Sequence, residues 1–103
     1  MKIVTWNVNS VNVRLPNILK YLSDYKPDVL CLQELKCSDD KYPINEFISA
    51  GYKSIQACQK TYNGVSIISK IQATDSSINP VYVTKDEMRS IAATYNGVRV
   101  INF

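Results

Sequence analysis

The spacing of apolar residues changes several times along the chain. Ile3 to Trp6 is a short β-rich run that ends in Asn7-Val8-Asn9-Ser10, residue types that favour a turn or loop. Leu15, Ile18, Leu19, Leu22 and Tyr25 then recur at three-and-four spacing, which predicts a helix with one apolar face. Pro16 suits the first turn of that helix, and Lys26-Pro27 suit its end. Val29 to Leu32 is a continuous apolar run and reads as a buried strand. Strand, amphipathic helix and strand together predict a βαβ unit, whose two strands are parallel.

Two further strand-like runs follow at 52–58 and 64–70, with Tyr62-Asn63-Gly64 as a hairpin signal between them. A polar loop is expected over roughly 72–80. Residues 89–95 and 98–103 form a second candidate hairpin around Asn96-Gly97. Nothing in the chain reads as a repeat or an interdomain linker, so residues 1–103 are taken as part of a single domain. The last run stops at Phe103 without turn, cap or tail, and the expectation is a chain that continues into a larger fold.

Composition narrows the chemistry. The 103 residues are 46% hydrophobic and 20% charged, ordinary for a soluble globular chain. The net charge of +3 permits an anionic partner without demanding one. There is no histidine, which removes the commonest general base and the commonest metal ligand. Cys31, Cys37 and Cys58 show no CxxC or zinc spacing, and an odd thiol would be left by any pairing. Cys31 reads as a core thiol, and the set suggests a reducing, cytoplasmic compartment. No run approaches the roughly 20 apolar residues of a membrane helix, so no membrane partner is expected.

The candidate site comes from topology. Ligands of parallel sheets bind at the carboxyl ends of the strands, beside the crossover. Asn7 closes the first strand and Gln33-Glu34 the second, so the βαβ unit brings Asn7 and Glu34 to one sheet edge. A carboxylate there can hold a hard cation such as Mg²⁺, and an amide beside it can orient a substrate oxygen or a metal-bound water. Asn at a strand end also serves as a plain turn residue, and Glu34 can pair with Lys36 on the same face of an extended chain.

The stretch "PDVLCLQELK", with "WNVNS" upstream and "DDKYP" downstream, closely resembles the exonuclease III branch of the AP endonucleases, in the endonuclease/exonuclease/phosphatase superfamily. "QKTYNGVSIISK" at 59–70 resembles that family's Gly-Val strand. The resemblance implies an α/β fold, here part of a four-layer sandwich of two facing sheets with helices outside. It implies a Mg²⁺-dependent phosphodiesterase, with Mn²⁺ as a substitute, acting on double-stranded DNA at abasic sites and at 3′ ends. Glu34 matches the family's metal-binding glutamate, and Asn7 the asparagine that orders the metal and the scissile phosphate. Gln33 and Lys36 match supporting positions. Asn9, Lys60, Tyr62 and Asn63 would lie near the DNA backbone, although Lys60 and Tyr62 could equally sit on a solvated hairpin.

The resemblance also implies what these residues lack. The family's catalytic tyrosine, its Asp-x-Asn motif and its closing Asp-His pair are absent, and Tyr95, ahead of Asn96-Gly97, is not that tyrosine. The chain therefore resembles the N-terminal portion of a site completed by a C-terminal half. Alone it is expected to be inactive, with the inner face of its N-terminal sheet left bare. Two other readings stay open: a phosphoesterase of the same superfamily acting on a phosphoinositide or phospholipid, and a non-catalytic truncated or split-gene product.

Overall fold

In the computed structural model, which describes residues 1–81 and 84–103, the chain begins with the expected βαβ unit. Strand β1 (Ile3–Asn7) leads into helix α1 (Val11–Tyr25) and returns as β2 (Val29–Gln33), parallel to β1 with Asn7 beside Gln33. The helix starts earlier than its apolar spacing suggests. Ser10 caps it, its hydroxyl accepting the Val13 N–H at 3.4 Å. Pro16 consequently lies inside the helix rather than in its first turn, leaving the Asn12 carbonyl without its usual i+4 donor. Lys26 ends the helix in the left-handed conformation, φ 48°, immediately before Pro27.

A 3₁₀ turn (Asp39–Lys41) and a short helix, α2 (Ile44–Ser49), follow, neither of which the sequence pattern reveals. Strands β3 (Lys53–Ala57) and β4 (Val65–Ser69) are antiparallel, as expected, but the connection spans residues 58–64 rather than a tight turn. The sheet order is β1-β2-β4-β3. The expected polar loop contains an edge strand, β5 (Asp75–Ile78), which pairs with β6 (Ile91–Tyr95). The hairpin β6–β7 (Val98–Asn102) completes a second sheet of order β5-β6-β7.

Strand alternation assigns the core. From β2 and β4, Leu30, Leu32 and Ile68 face α1 and α2, meeting Ile18, Leu22 and Phe47. Val29, Cys31, Val65 and Ile67 face the other way, against Ile91, Ala93, Tyr95 and Val100 of the second sheet. Burial on both faces is why β2 reads as an unbroken apolar run. Each fully buried Leu, Ile or Phe contributes ~1.5–3 kcal/mol relative to exposure. The chain is thus α/β, with helices, sheet and sheet in three layers. The expectation of a bare inner face is corrected: β5–β7 cover it, because the 89–103 hairpin folds back across β2 and β4.

Candidate active site

The carboxyl ends of β1 and β2 are held by backbone bonds that run past the strands. The Gln33, Glu34 and Leu35 carbonyls accept the N–H groups of Val8, Ser10 and Val11 at 3.1, 2.9 and 3.0 Å. On the other side, the Leu35 and Lys36 N–H groups donate to the Gly64 and Asn63 carbonyls at 3.1 and 3.0 Å. Past the buried strand β2, the Gln33–Lys36 segment alternates. Leu35 is fully buried, while Glu34 and Lys36 on either side turn outward. This path needs left-handed backbone at Glu34 (φ 56°) and Lys36 (φ 54°). It also needs Gly64, where a Cβ would stand 2.9 Å from the Leu35 Cβ.

The side chains converge from there. The Asn7 amide Nδ2 donates to Glu34 Oε2, while Asn7 Oδ1 accepts the Asn9 backbone N–H at 3.2 Å. Lys36 Nζ donates to Asn9 Oδ1 at 2.6 Å and lies 3.6 Å from Glu34 Oε1. Gln33 Nε2 donates to Thr5 Oγ1 at 2.8 Å and to Asn102 Oδ1 at 2.7 Å. The Asn7 hydrogen bond holds the Glu34 carboxyl below the usual carboxylate range, helped by the positive charges of Lys36 and Arg89. Glu34 is therefore an ionised, half-exposed carboxylate at neutral pH.

An open cleft of about 220 Å³ lies over this group, lined by Asn7, Gln33, Glu34, Asn63, Met88 and Arg89 among others. Its far wall is positioned by Gln59, whose Oε1 accepts from Asn63 Nδ2 at 3.2 Å and from the Met88 N–H at 2.9 Å. Of the residues singled out in the sequence, Asn7, Asn9, Gln33, Glu34, Lys36 and Asn63 come together here. Lys60 and Tyr62 sit instead at the exposed tip of the 58–64 loop, outside the cleft lining, with Tyr62 67% exposed.

Two contributors escaped the sequence reading. Arg89, which pairs with Glu87 at 3.6 Å, faces Glu34 from a polar segment with no motif. Asn102, 4% exposed, reaches from β7 to donate to the Leu32 and Ser66 carbonyls, both at 2.9 Å, and so stitches the second sheet to the first beneath the cleft. A buried Asn near the end of an apolar strand was its only signal. Among the described residues no helix is long and apolar enough to cross a membrane.

Comparison with known proteins agrees with the fold. A 3′-5′ exonuclease from Neisseria meningitidis superposes with a TM-score of 0.92 at 48% identity, covering 98% of this chain and 40% of that one. The same Neisseria protein, described as a 3′ phosphatase and solved with a product DNA hairpin, gives the same four figures. An AP endonuclease from Archaeoglobus fulgidus gives a TM-score of 0.93 at 38% identity, over 100% of this chain and 40% of its own. Exodeoxyribonuclease III of Haemophilus influenzae is 31% identical over 70 residues, 68% of this chain and 26% of its own. The chain thus spans well under half the length of these relatives. The family model for the Endonuclease/Exonuclease/phosphatase family matches residues 4–103, and the chain belongs to that family.

Proposed function

We propose that this chain is the N-terminal part of an exodeoxyribonuclease III-like enzyme of the cytoplasm. Its reaction is phosphodiester hydrolysis in double-stranded DNA, at 3′ ends and beside abasic sites, in base excision repair. The observation that carries the reading is the Asn7–Glu34 pair. It is an ionised carboxylate held by an amide at the ends of two parallel strands, opening on a cleft that a guanidinium also lines. The Neisseria exonuclease, also solved with product DNA, and the Archaeoglobus AP endonuclease support it.

The donor set suits Mg²⁺. All candidate ligand atoms are oxygens, and among the described residues no group of three His, Cys, Asp or Glu gathers to form an all-protein cage. One carboxylate plus waters and substrate phosphate is a usual Mg²⁺ environment, and Mn²⁺ accepts the same oxygen donors. Glu34 would hold the ion, with Asn7 fixing the carboxylate and the water shell. Bound there, the ion would neutralise charge on the phosphate and stabilise the leaving oxygen. The chain's own residues do the rest. Arg89 and Lys36 draw the phosphodiester towards Glu34, Asn9 holds the Lys36 ammonium, and Gln33 keeps the ends of β1 and β7 against β2. Lys60, Tyr62 and Asn63 meet the DNA backbone from the loop tip and cleft wall.

The remaining groups, a water-activating carboxylate above all, are assigned to the part of the domain beyond these residues. That C-terminal half would dock along the two strand edges, β1 and β7, which leave Ile3, Val98 and Ile101 exposed. These 103 residues alone are then inactive. The test is incision of a duplex carrying one abasic site, with Mg²⁺, by this chain alone and after mixing with the C-terminal polypeptide. Cleavage is expected only in the mixture. Asn7→Ala should lower it by about 10–100-fold, as loss of a ligand-orienting partner does, and Glu34→Gln should lower it further. Metal-dependent cleavage by this chain alone, indifferent to Glu34→Gln, would overturn the assignment.

A further inference from the structure

Two thiols flank the site without belonging to it. Cys37 ends the segment that carries Glu34 and Lys36, and Cys58 begins the loop that carries Gln59 and Asn63. An isolated antiparallel bridge pairs Cys37 with Gln59, so the two backbones lie side by side with Cys58 one residue from the position opposite Cys37. Cys37 is buried and Cys58 packs, half-buried, against the same apolar cluster. The two thiols perturb each other's titration, that of Cys37 downwards and that of Cys58 upwards. Paired Cα atoms of antiparallel backbones stand ~4.5–5.5 Å apart, and a disulfide spans a Cα separation of ~4.4–6.8 Å. Cys31 cannot compete. It lies on the opposite face of the sheet, between the two sheets, where burial pushes its thiol up to about 11.

We propose that Cys37 and Cys58 form an oxidative modification site, at which peroxide converts the pair to an intramolecular disulfide that fastens the Glu34–Lys36 turn to the Gln59–Asn63 loop. The chemistry balances. The Cys37 thiolate attacks one oxygen of hydrogen peroxide, breaking the O–O bond, and becomes a sulfenic acid as hydroxide leaves and takes a proton to form water. The Cys58 sulfur then attacks the Cys37 sulfur, and the S–OH oxygen departs with the Cys58 proton as a second water. Two thiols are oxidised by two electrons and one peroxide is reduced. The bond acts on the cleft because the fastened segments already share the Leu35→Gly64 and Lys36→Asn63 backbone hydrogen bonds. Opening those bonds requires the two segments to part, and the cross-link resists that.

The experiment treats the folded chain with hydrogen peroxide, blocks free thiols with iodoacetamide and digests with trypsin. Cleavage after Lys36, Lys41, Lys53 and Lys60 places Cys37 in the peptide 37–41, Cys58 in 54–60, and Cys31 in a third peptide. The expected product is 37–41 linked to 54–60, with Cys31 alkylated, both in the parent and in Cys31→Ser. A parallel sample oxidised in guanidinium should give mixed pairings instead. Three alkylated thiols in the folded sample, a bond to Cys31, or the same mixed pairings with and without denaturant would overturn the proposal. Hydrogen exchange tests the link to the cleft. The Leu35 and Lys36 amides should exchange about tenfold more slowly after oxidation, a change that Cys58→Ser abolishes. A disulfide that leaves both amides unchanged would overturn the coupling.

Discussion

Asn102→Ala tests whether a single buried amide holds the two sheets together beneath the cleft. Asn102 donates to the Leu32 and Ser66 carbonyls at 2.9 Å each and accepts from Gln33 Nε2 at 2.7 Å, while 4% exposed. A net ~0.5–1.5 kcal/mol for each bond gives a total loss of about 2–4 kcal/mol. Gln33 retains Thr5 and the Cys31 carbonyl as acceptors, so its amide is not orphaned and the loss stays in that range. Against a typical ~5–15 kcal/mol for a domain, this is a large fraction. At ~4–8 °C per kcal/mol for a domain of this size, the melting midpoint should fall by about 8–32 °C. Urea denaturation is the cleaner assay: the midpoint should drop with the slope unchanged. Asn102→Asp sharpens the test by placing a carboxylate against two carbonyls. Burial would raise its folded-state pKa above the ordinary ~3.9, so its stability should be greatest below about pH 4 and decline as pH rises. An Ala variant within ~0.5 kcal/mol of the parent, or an Asp variant with the parent's pH dependence, would refute the role given to Asn102.

Two further perturbations address the site itself. Asn7→Leu removes the first cause of the lowered Glu34 pKa, so NMR titration of the Glu34 carboxyl carbon should find it closer to the ordinary value; an unmoved midpoint would contradict the assignment. Because the folded-state pKa is depressed, the stability Glu34 contributes is present above its unfolded pKa and is lost as pH falls through the folded one, and Asn7→Leu should narrow that window. Gly64→Ala should destabilise by ~1–3 kcal/mol, since φ is +89° and the new Cβ would stand 2.9 Å from the Leu35 Cβ. Gly97→Ala, at φ +79° with nothing within 4 Å, should be milder, and equal losses at the two positions would undercut the close-approach argument.

The βαβ unit was legible because both of its periods are strong. Leu15, Ile18, Leu19 and Leu22 repeat at helical spacing, and Val29 to Leu32 is apolar on both faces. That topology alone places Asn7 and Glu34 at one sheet edge. Other elements were hidden for identifiable reasons. Strand β5 reads Asp-Ser-Ser-Ile because it is an exposed edge, and α2 is too short to show a period. Val11 and the Ser10 cap extend α1 past the point where its apolar repeat begins, which moved Pro16 into its interior. Asn63-Gly64 does adopt positive φ, but at the end of a longer loop whose course is set by bonds to Leu35, Lys36 and Met88. Arg89 was invisible for the same reason: its position depends on the Gln59 side chain, a tertiary contact that leaves no local signature.

The left-handed backbone at Glu34 and Lys36 sets stability and chemistry against each other in sequence space. A side chain in that region carries a conformational penalty of ~1–2 kcal/mol that glycine escapes. A thermostability screen blind to catalysis should therefore enrich Glu34→Gly and Lys36→Gly, deleting the carboxylate and its neighbouring cation. A screen for cleavage should reject both changes. Residues that only hold the strand ends, such as Leu35, should be retained under either regime. Sequencing the two selected pools would then separate scaffold from reactive groups within three consecutive positions, without an assay of any single variant.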